Sequence, residues 1–205
     1  MLKTKIAVLV SGGGTNLQAL IDAEARGEIP HGEIVLVLSS REGAYALTRA
    51  ARAGIPSAVC DRRGLASQQA FESALERELE ECGAELIVLA GFLCILSESF
   101  TKKYEGRIIN VHPSLIPSFC GRGAYGLRVH EMALARGVRV TGATVHYVNE
   151  IPDGGEIILQ KAVEVLPGDT PEALQRRVME QAEWIILPRA AELASKAICE
   201  GEKAK

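Results

Sequence analysis

Aromatic side chains are scarce in this chain. One Trp, four Tyr and four Phe make up 4% of it, too few for a row of platforms on which bases could stack. No surplus of positive charge compensates: 23 Lys and Arg stand against 26 Asp and Glu, a formal net charge of −3. No nucleic-acid partner is expected from such a balance. Cysteines are few, odd in number and scattered, at Cys60, Cys82, Cys94, Cys120 and Cys199, with no CxxC spacing. That argues against a disulfide framework or a structural zinc site and fits a reducing cytoplasm. Long apolar runs are missing too. Leu86 to Leu96 falls short of the roughly 18 to 20 residues of a membrane span. Lys3 and Lys5 precede an apolar run, but Ser11-Gly12-Gly13-Gly14 interrupts it too early for a signal peptide. No membrane partner is expected.

Several catalytic signatures are also absent. The glycine run is not GxxxxGK[ST], which argues against ATP, nor GxGxxG, since the third glycine position holds Leu17. No GxSxG supports a hydrolase elbow. His130-Glu131 lacks the second histidine of HExxH, so no metal is expected.

What is present is an alternation of strand and helix patterns over 205 residues, a length that suits one α/β domain. Strands are expected at Lys5 to Ser11, Ile34 to Ser39, Ser57 to Cys60, Leu86 to Ala90 and Ile108 to Val111. Helices are expected from Thr15, at Ala44 to Ala53 and at Ser67 to Cys82. This predicts a doubly wound, mostly parallel sheet. The pattern then changes. A helix over Tyr125 to Arg136 leads to two longer strands, Val138 to Val148 and Glu156 to Val165, which read as an antiparallel hairpin. Thr170 to Ala197 reads as one closing helix, with Thr170 as N-cap, Pro171 at its first position and Glu172 in its first turn. With no repeat and no linker, residues 1–205 read as a single domain. Its first half, 1–105, carries the glycine turn, and its second, 106–197, carries most of the polar motifs.

The stretch Ile109-Asn110-Val111-His112-Pro113 organises the chain. Asn110 and His112 are two apart, so a strand places them on one face, at the carboxyl end where open α/β sheets hold ligands. Imidazole suits proton transfer near neutral pH, and an amide can donate to a developing oxyanion. The bland alternative is that both satisfy backbone groups in the next loop. Ser11-Gly12-Gly13-Gly14-Thr15-Asn16, between the first strand and first helix, reads as an anion site for a phosphate monoester or as a tight turn. Asp153-Gly154-Gly155 reads as a turn or as a carboxylate presented to His112. His146, mid-strand, reads as a core or supporting histidine.

Together these motifs resemble the folate-dependent phosphoribosylglycinamide formyltransferase family. The resemblance spans about Lys5 to Pro188. It rests on the glycine run through Leu17, Leu89-Ala90-Gly91-Phe92 with Ile95-Leu96-Ser97, Asn110 to Leu115, and Thr141 to His146 through Asp153-Gly154-Gly155. It implies formyl transfer from 10-formyltetrahydrofolate, as co-substrate, to the amine of glycinamide ribonucleotide. By the same resemblance, Asn110 donates to the oxyanion, His112 supplies the proton, and Asp153 holds His112 and raises its pKa. Gly14, Thr15 and Asn16 bind the ribonucleotide phosphate. Glu183 matches a glutamate that contacts the substrate amine once one inserted residue is allowed before it. Leu93, Cys94, Ile95 and Leu96 enclose the pterin largely through backbone groups, with Asn110 and Gln68 nearby, and His146 stands behind the site. Cys94 and Gln68 occupy positions often basic in the family, and the segment Cys120 to His130 is longer than in many relatives. A monomer or homodimer is implied. Methionyl-tRNA formyltransferase shares the chemistry but adds a basic C-terminal domain, and formyltetrahydrofolate deformylase adds an N-terminal one. Neither extension is seen here. A non-catalytic phosphate sensor would not need Asn110, His112 and Asp153 together.

Overall fold

In the computed structural model, which describes residues 3–201, seven strands form one sheet in the order β3-β2-β1-β4-β5-β6-β7. The strands are β1 Thr4–Val10, β2 Gly32–Ser39, β3 Ser57–Val59, β4 Leu86–Leu89, β5 Ile108–His112, β6 Val140–Tyr147 and β7 Ile157–Glu164. Those from β1 to β5 run parallel, β6 runs antiparallel to β5, and β7 antiparallel to β6. The expected sheet and C-terminal hairpin are therefore present. The helices are α1 Thr15–Ala25, α2 Tyr45–Arg52, α3 Gln68–Cys82, α4 Glu98–Lys103, α5 Leu127–Arg136, α6 Pro171–Val178 and α7 Trp184–Cys199.

The apolar run of β1 explains its central place, because a parallel strand covered on both faces needs no polar alternation. Ile6, Val8 and Val10 join one core with Leu17 and Leu20 of α1 and Leu187, Ala190 and Ala191 of α7. Ala7 and Leu9 join the opposite core with Phe71, Leu75 and Leu79 of α3 and Phe100 of α4. β1 sits between β2 and β4, so chain order reverses there. Such a switch point opens a crevice beyond the strand ends, and Ser11, Gly91, Asn110 and His112 all lie at that edge.

Two elements differ from expectation. α4 was not anticipated, although its signals are local: Ser97 Oγ accepts from Phe100 N at 3.3 Å, Glu98 opens the helix and Lys102 and Lys103 close it. Six residues are too few to show an apolar period. The closing helix is present as expected, but it is not a uniform α-helix. Between α6 and α7 the residues Met179–Glu183 form a π-helical turn, the wide turn that takes up one extra residue in an α-helix. Pro188 stands inside α7 just beyond it, where it donates no hydrogen bond. Wide turn and proline both interrupt the i→i−4 ladder within a few residues.

Candidate active site

β5 delivers Asn110 and His112 to the same side, and antiparallel β6 sets His146 opposite Asn110 and Thr144 opposite His112. His146 Nδ1 lies 2.7 Å from the Tyr147 carbonyl. A carbonyl only accepts, so Nδ1 carries the hydrogen. In the neutral ring Nε2 is then the acceptor for Asn110 Nδ2, 3.2 Å away. The Asn110 amide is thereby oriented and keeps a second N–H for a ligand. Its neighbour His112 is 4% exposed, with Nε2 2.9 Å from the Phe119 carbonyl. By the same reasoning Nε2 carries a fixed hydrogen. Nδ1 is then the nitrogen that gains and loses a proton, and it faces Asp153 Oδ2 at 3.5 Å.

Asp153 arrives on the loop between β6 and β7. Its φ is 57° and that of Phe119 is 52°. Among the described residues these are the only non-glycine residues with positive φ, and both face His112. Such backbone is sparsely populated and needs surrounding structure to hold it. Gly121 N supplies part of that support, donating to Asp153 Oδ2 at 2.8 Å. Asp153 Oδ1 lies 3.6 Å from His146 Nε2, beyond hydrogen-bond length.

The electrostatics refine one expectation. Burial is the largest influence on His112 and lowers its pKa from the ordinary 6.5; Asp153 and the Phe119 carbonyl raise it, and His146 lowers it. Asp153 acts in the expected direction, but desolvation outweighs it. Burial pushes Asp153 itself upward. His146, His112 and the Gly121 N–H outweigh that and hold it below the ordinary carboxylate value. Of these, the Gly121 bond acts whether or not the imidazoles are charged, so we take Asp153 as ionised beside an imidazole that protonates reluctantly.

Asn110, His112 and Asp153 line a cavity of about 680 Å³ together with Leu93, Cys94, Ile95, Leu96, His146, Asn16 and Glu183. Glu183 is held there by the wide turn. Burial lifts its pKa to about 7, against the Asn16 Nδ2 hydrogen bond at 2.7 Å. The wide turn ends on Glu183 itself. Three other residues stand back from this cavity. Gly14 caps α1 in the left-handed region with φ 72° and no side-chain cap bond. A Cβ there would lie 2.7 Å from Ala46 Cβ, so a side chain at this position would collide with α2. Thr15 approaches Met179 Sδ at 3.9 Å. Gln68 donates from Nε2 to Glu72 Oε1 at 2.6 Å and to the Ile95 carbonyl at 2.9 Å.

The sequence reading missed other lining residues. His130 is 1% exposed, neither ring nitrogen has a hydrogen-bond partner, and burial with the neighbouring His112 drives its pKa to about 4. Its only sequence signal was a polar residue amid the apolar face of α5. The long segment after Cys120 also has a place: Gly121 through Gly126 form part of the cavity wall. Among the described residues no cluster of His, Cys, Asp or Glu could hold a metal ion.

An open α/β sheet with a polar strand end of this kind defines a class, and the comparisons agree with it: residues 4–191 match the family model described as formyl transferase. The phosphoribosylglycinamide formyltransferase of Haemophilus influenzae is 43% identical over 184 residues, covering 90% of this chain and 84% of that protein. The crystal structure of glycinamide ribonucleotide transformylase 1 from Symbiobacterium toebii superposes with a TM-score of 0.88 at 42% identity, over 95% of this chain and 89% of that one. The chain belongs to the phosphoribosylglycinamide formyltransferase family. It is also 51% identical to the trifunctional purine biosynthetic protein adenosine-3 of Gallus gallus over 99% of its own length, but spans only 20% of that longer protein.

Proposed function

We propose that this protein transfers the formyl group of 10-formyltetrahydrofolate to the amine of glycinamide ribonucleotide, giving the N-formyl product and tetrahydrofolate in purine nucleotide synthesis. The observation that carries the reading is the Asn110 amide beside the His112 imidazole, with Asp153 at 3.5 Å from His112 Nδ1, on the wall of one cavity. The cavity has room and chemistry for two ligands. Leu93 and Ile95 expose 57% and 61% of their surface, an apolar bed for a flat ring. The buried Asn16 Oδ1 and both nitrogens of His130 await partners. Around α1, nothing stands within 4 Å of a Cβ placed on Gly12 or Gly13, so the turn and the uncapped first N–H groups of the helix stay open to a phosphate.

In this reading the folate donor supplies the formyl carbon and a leaving amine. Attack by the ribonucleotide amine forms the new C–N bond and moves charge onto the formyl oxygen. Asn110 donates to that oxygen, and the neighbouring His112, when protonated, adds a positive charge beside it. Asp153 orients His112 and supports its protonated form. The tetrahedral centre then collapses, the bond to the folate nitrogen breaks, and that nitrogen takes up a proton while the attacking amine has lost one. Glu183, held by Asn16, receives the acceptor substrate. Preorganised donors of this kind are typically worth ~10²–10³ in rate. The whole of residues 1–205 acts as a single domain, as a monomer or homodimer. Free thiols at Cys60, Cys82, Cys94 and Cys120 suit a reducing cytoplasm.

The test is to incubate the protein with 10-formyltetrahydrofolate, with and without glycinamide ribonucleotide, and follow tetrahydrofolate. Release that requires the ribonucleotide supports transfer. Release without it means hydrolysis, and no release means a binding protein.

A further inference from the structure

The loop Leu93 to Leu96, which lines the cavity, has no regular structure, and two of its side chains, Leu93 and Ile95, are more than half exposed. Leu96, 8% exposed, anchors one end of the loop in the core beside α3 and α4. On either side of it the backbone is held by polar contacts. Leu93 N donates to Ser11 Oγ at 2.9 Å, the Ile95 carbonyl accepts from Gln68 Nε2 at 2.9 Å, and Ser97 N donates to Glu72 Oε1 at 2.6 Å. Two of these three tethers converge on one side chain. Glu72, on the first turns of α3, is 6% exposed. Its carboxylate also receives Ser97 Oγ at 2.6 Å and Gln68 Nε2 at 2.6 Å.

A buried carboxylate is costly unless its oxygens are hydrogen-bonded. Here three short bonds satisfy it, and every donor belongs either to the end of the loop or to Gln68, which grips the middle of the loop. A Gln side-chain NH₂ has two hydrogens: one goes to Glu72 and the other to Ile95. Bonds to a charged acceptor are among the stronger ones. The short side chain of Ser97 and the two-pronged amide of Gln68 thus bind the loop to a rigid helix.

We propose that Glu72 is a positioning residue that sets the Leu93–Leu96 loop for the folate co-substrate, acting through Ser97 and Gln68 without touching a ligand. Glu72 is absent from the cavity lining, whereas the loop it holds is part of it. The inference rests on the transfer reading above for the identity of the ligand. Tetrahydrofolate release by the wild-type protein tests that reading separately. Release of nothing by the wild type sinks the reading, while a folate-selective change in the variants concerns only Glu72.

The experiment measures KM for each substrate and kcat in Glu72→Ala, Glu72→Gln and Gln68→Ala, together with thermal melting and calorimetric titration of tetrahydrofolate. Losing a charged anchor gives Glu72→Ala a rise in folate KM of about tenfold, in line with the worth of one charge-assisted bond. KM for the ribonucleotide and kcat stay within about twofold. Glu72→Gln, which keeps an acceptor for Ser97 N, recovers part of the loss, and Gln68→Ala shows a smaller loss of the same kind. Tetrahydrofolate affinity falls in the same order. An unchanged folate KM in all three variants, or equal rises for both substrates in step with falling melting temperature, overturns the proposal. Should Glu72→Ala fail to fold, Glu72→Gln and Gln68→Ala decide it by the same criteria.

Discussion

Asn110 and His112 were legible from the sequence because a strand period of two and a following proline are local facts. What a residue's surroundings do to it was not. His112 sits below its ordinary pKa because folding buries it, and burial is a property of the packed molecule. The places of His130 and Glu72 were hidden for the same reason: His130 is noticeable in the sequence only as half of an incomplete metal motif, and Glu72 reads as an ordinary helix residue. Three outcomes follow at this scale. Asn110→Ala lowers kcat by about 10²–10³ with a smaller change in KM, since an oxyanion donor acts where charge develops; steady-state kinetics check the split. If His112 works as the imidazolium, kcat/KM declines as pH rises through a value below 6.5, and removing the carboxylate charge in Asp153→Asn moves that limb lower still. A pH–rate profile with an unmoved limb would separate the two residues. Glu183 titrates the other way. Its folded value of about 7 lies above the ordinary 4.5, so the stability its protonated form contributes is complete below 4.5 and is lost as pH rises through about 7. Melting curves of Glu183→Gln should therefore gain on the wild type as pH climbs across that window.

At the scale of elements, most of the architecture followed from apolar periods and caps, including the antiparallel hairpin. The wide turn Met179–Glu183 could not be read from composition, because a π turn has no distinctive residues. α4 fell below the length at which periodicity speaks, although its Ser97 cap was in plain sight. The hairpin's end is geometrically tight. A Cβ on Gly155 would collide with the Tyr147 carbonyl, so no other residue fits without moving the loop that carries Asp153. Gly155→Ala is expected to cut kcat by about tenfold or more, because catalytic geometry tolerates little displacement. A crystal structure of the variant should show Asp153 displaced from His112.

For the whole molecule, the decisive feature is the reversal of strand order at β1. It opens one crevice into which β4, β5, the hairpin loop and the wide turn each deliver part of the site. One seven-stranded sheet and its connections supply all of these parts, and no helix among the described residues is long and apolar enough to cross a membrane. The central claim is that this crevice moves a formyl group between two bound molecules. Following an isotopic label from the formyl carbon of 10-formyltetrahydrofolate tests it most directly. The account predicts that mass spectrometry finds the label on the ribonucleotide amine, in a yield matching tetrahydrofolate released and lost in Asn110→Ala. Label recovered as free formate, at a rate indifferent to the ribonucleotide, would contradict it.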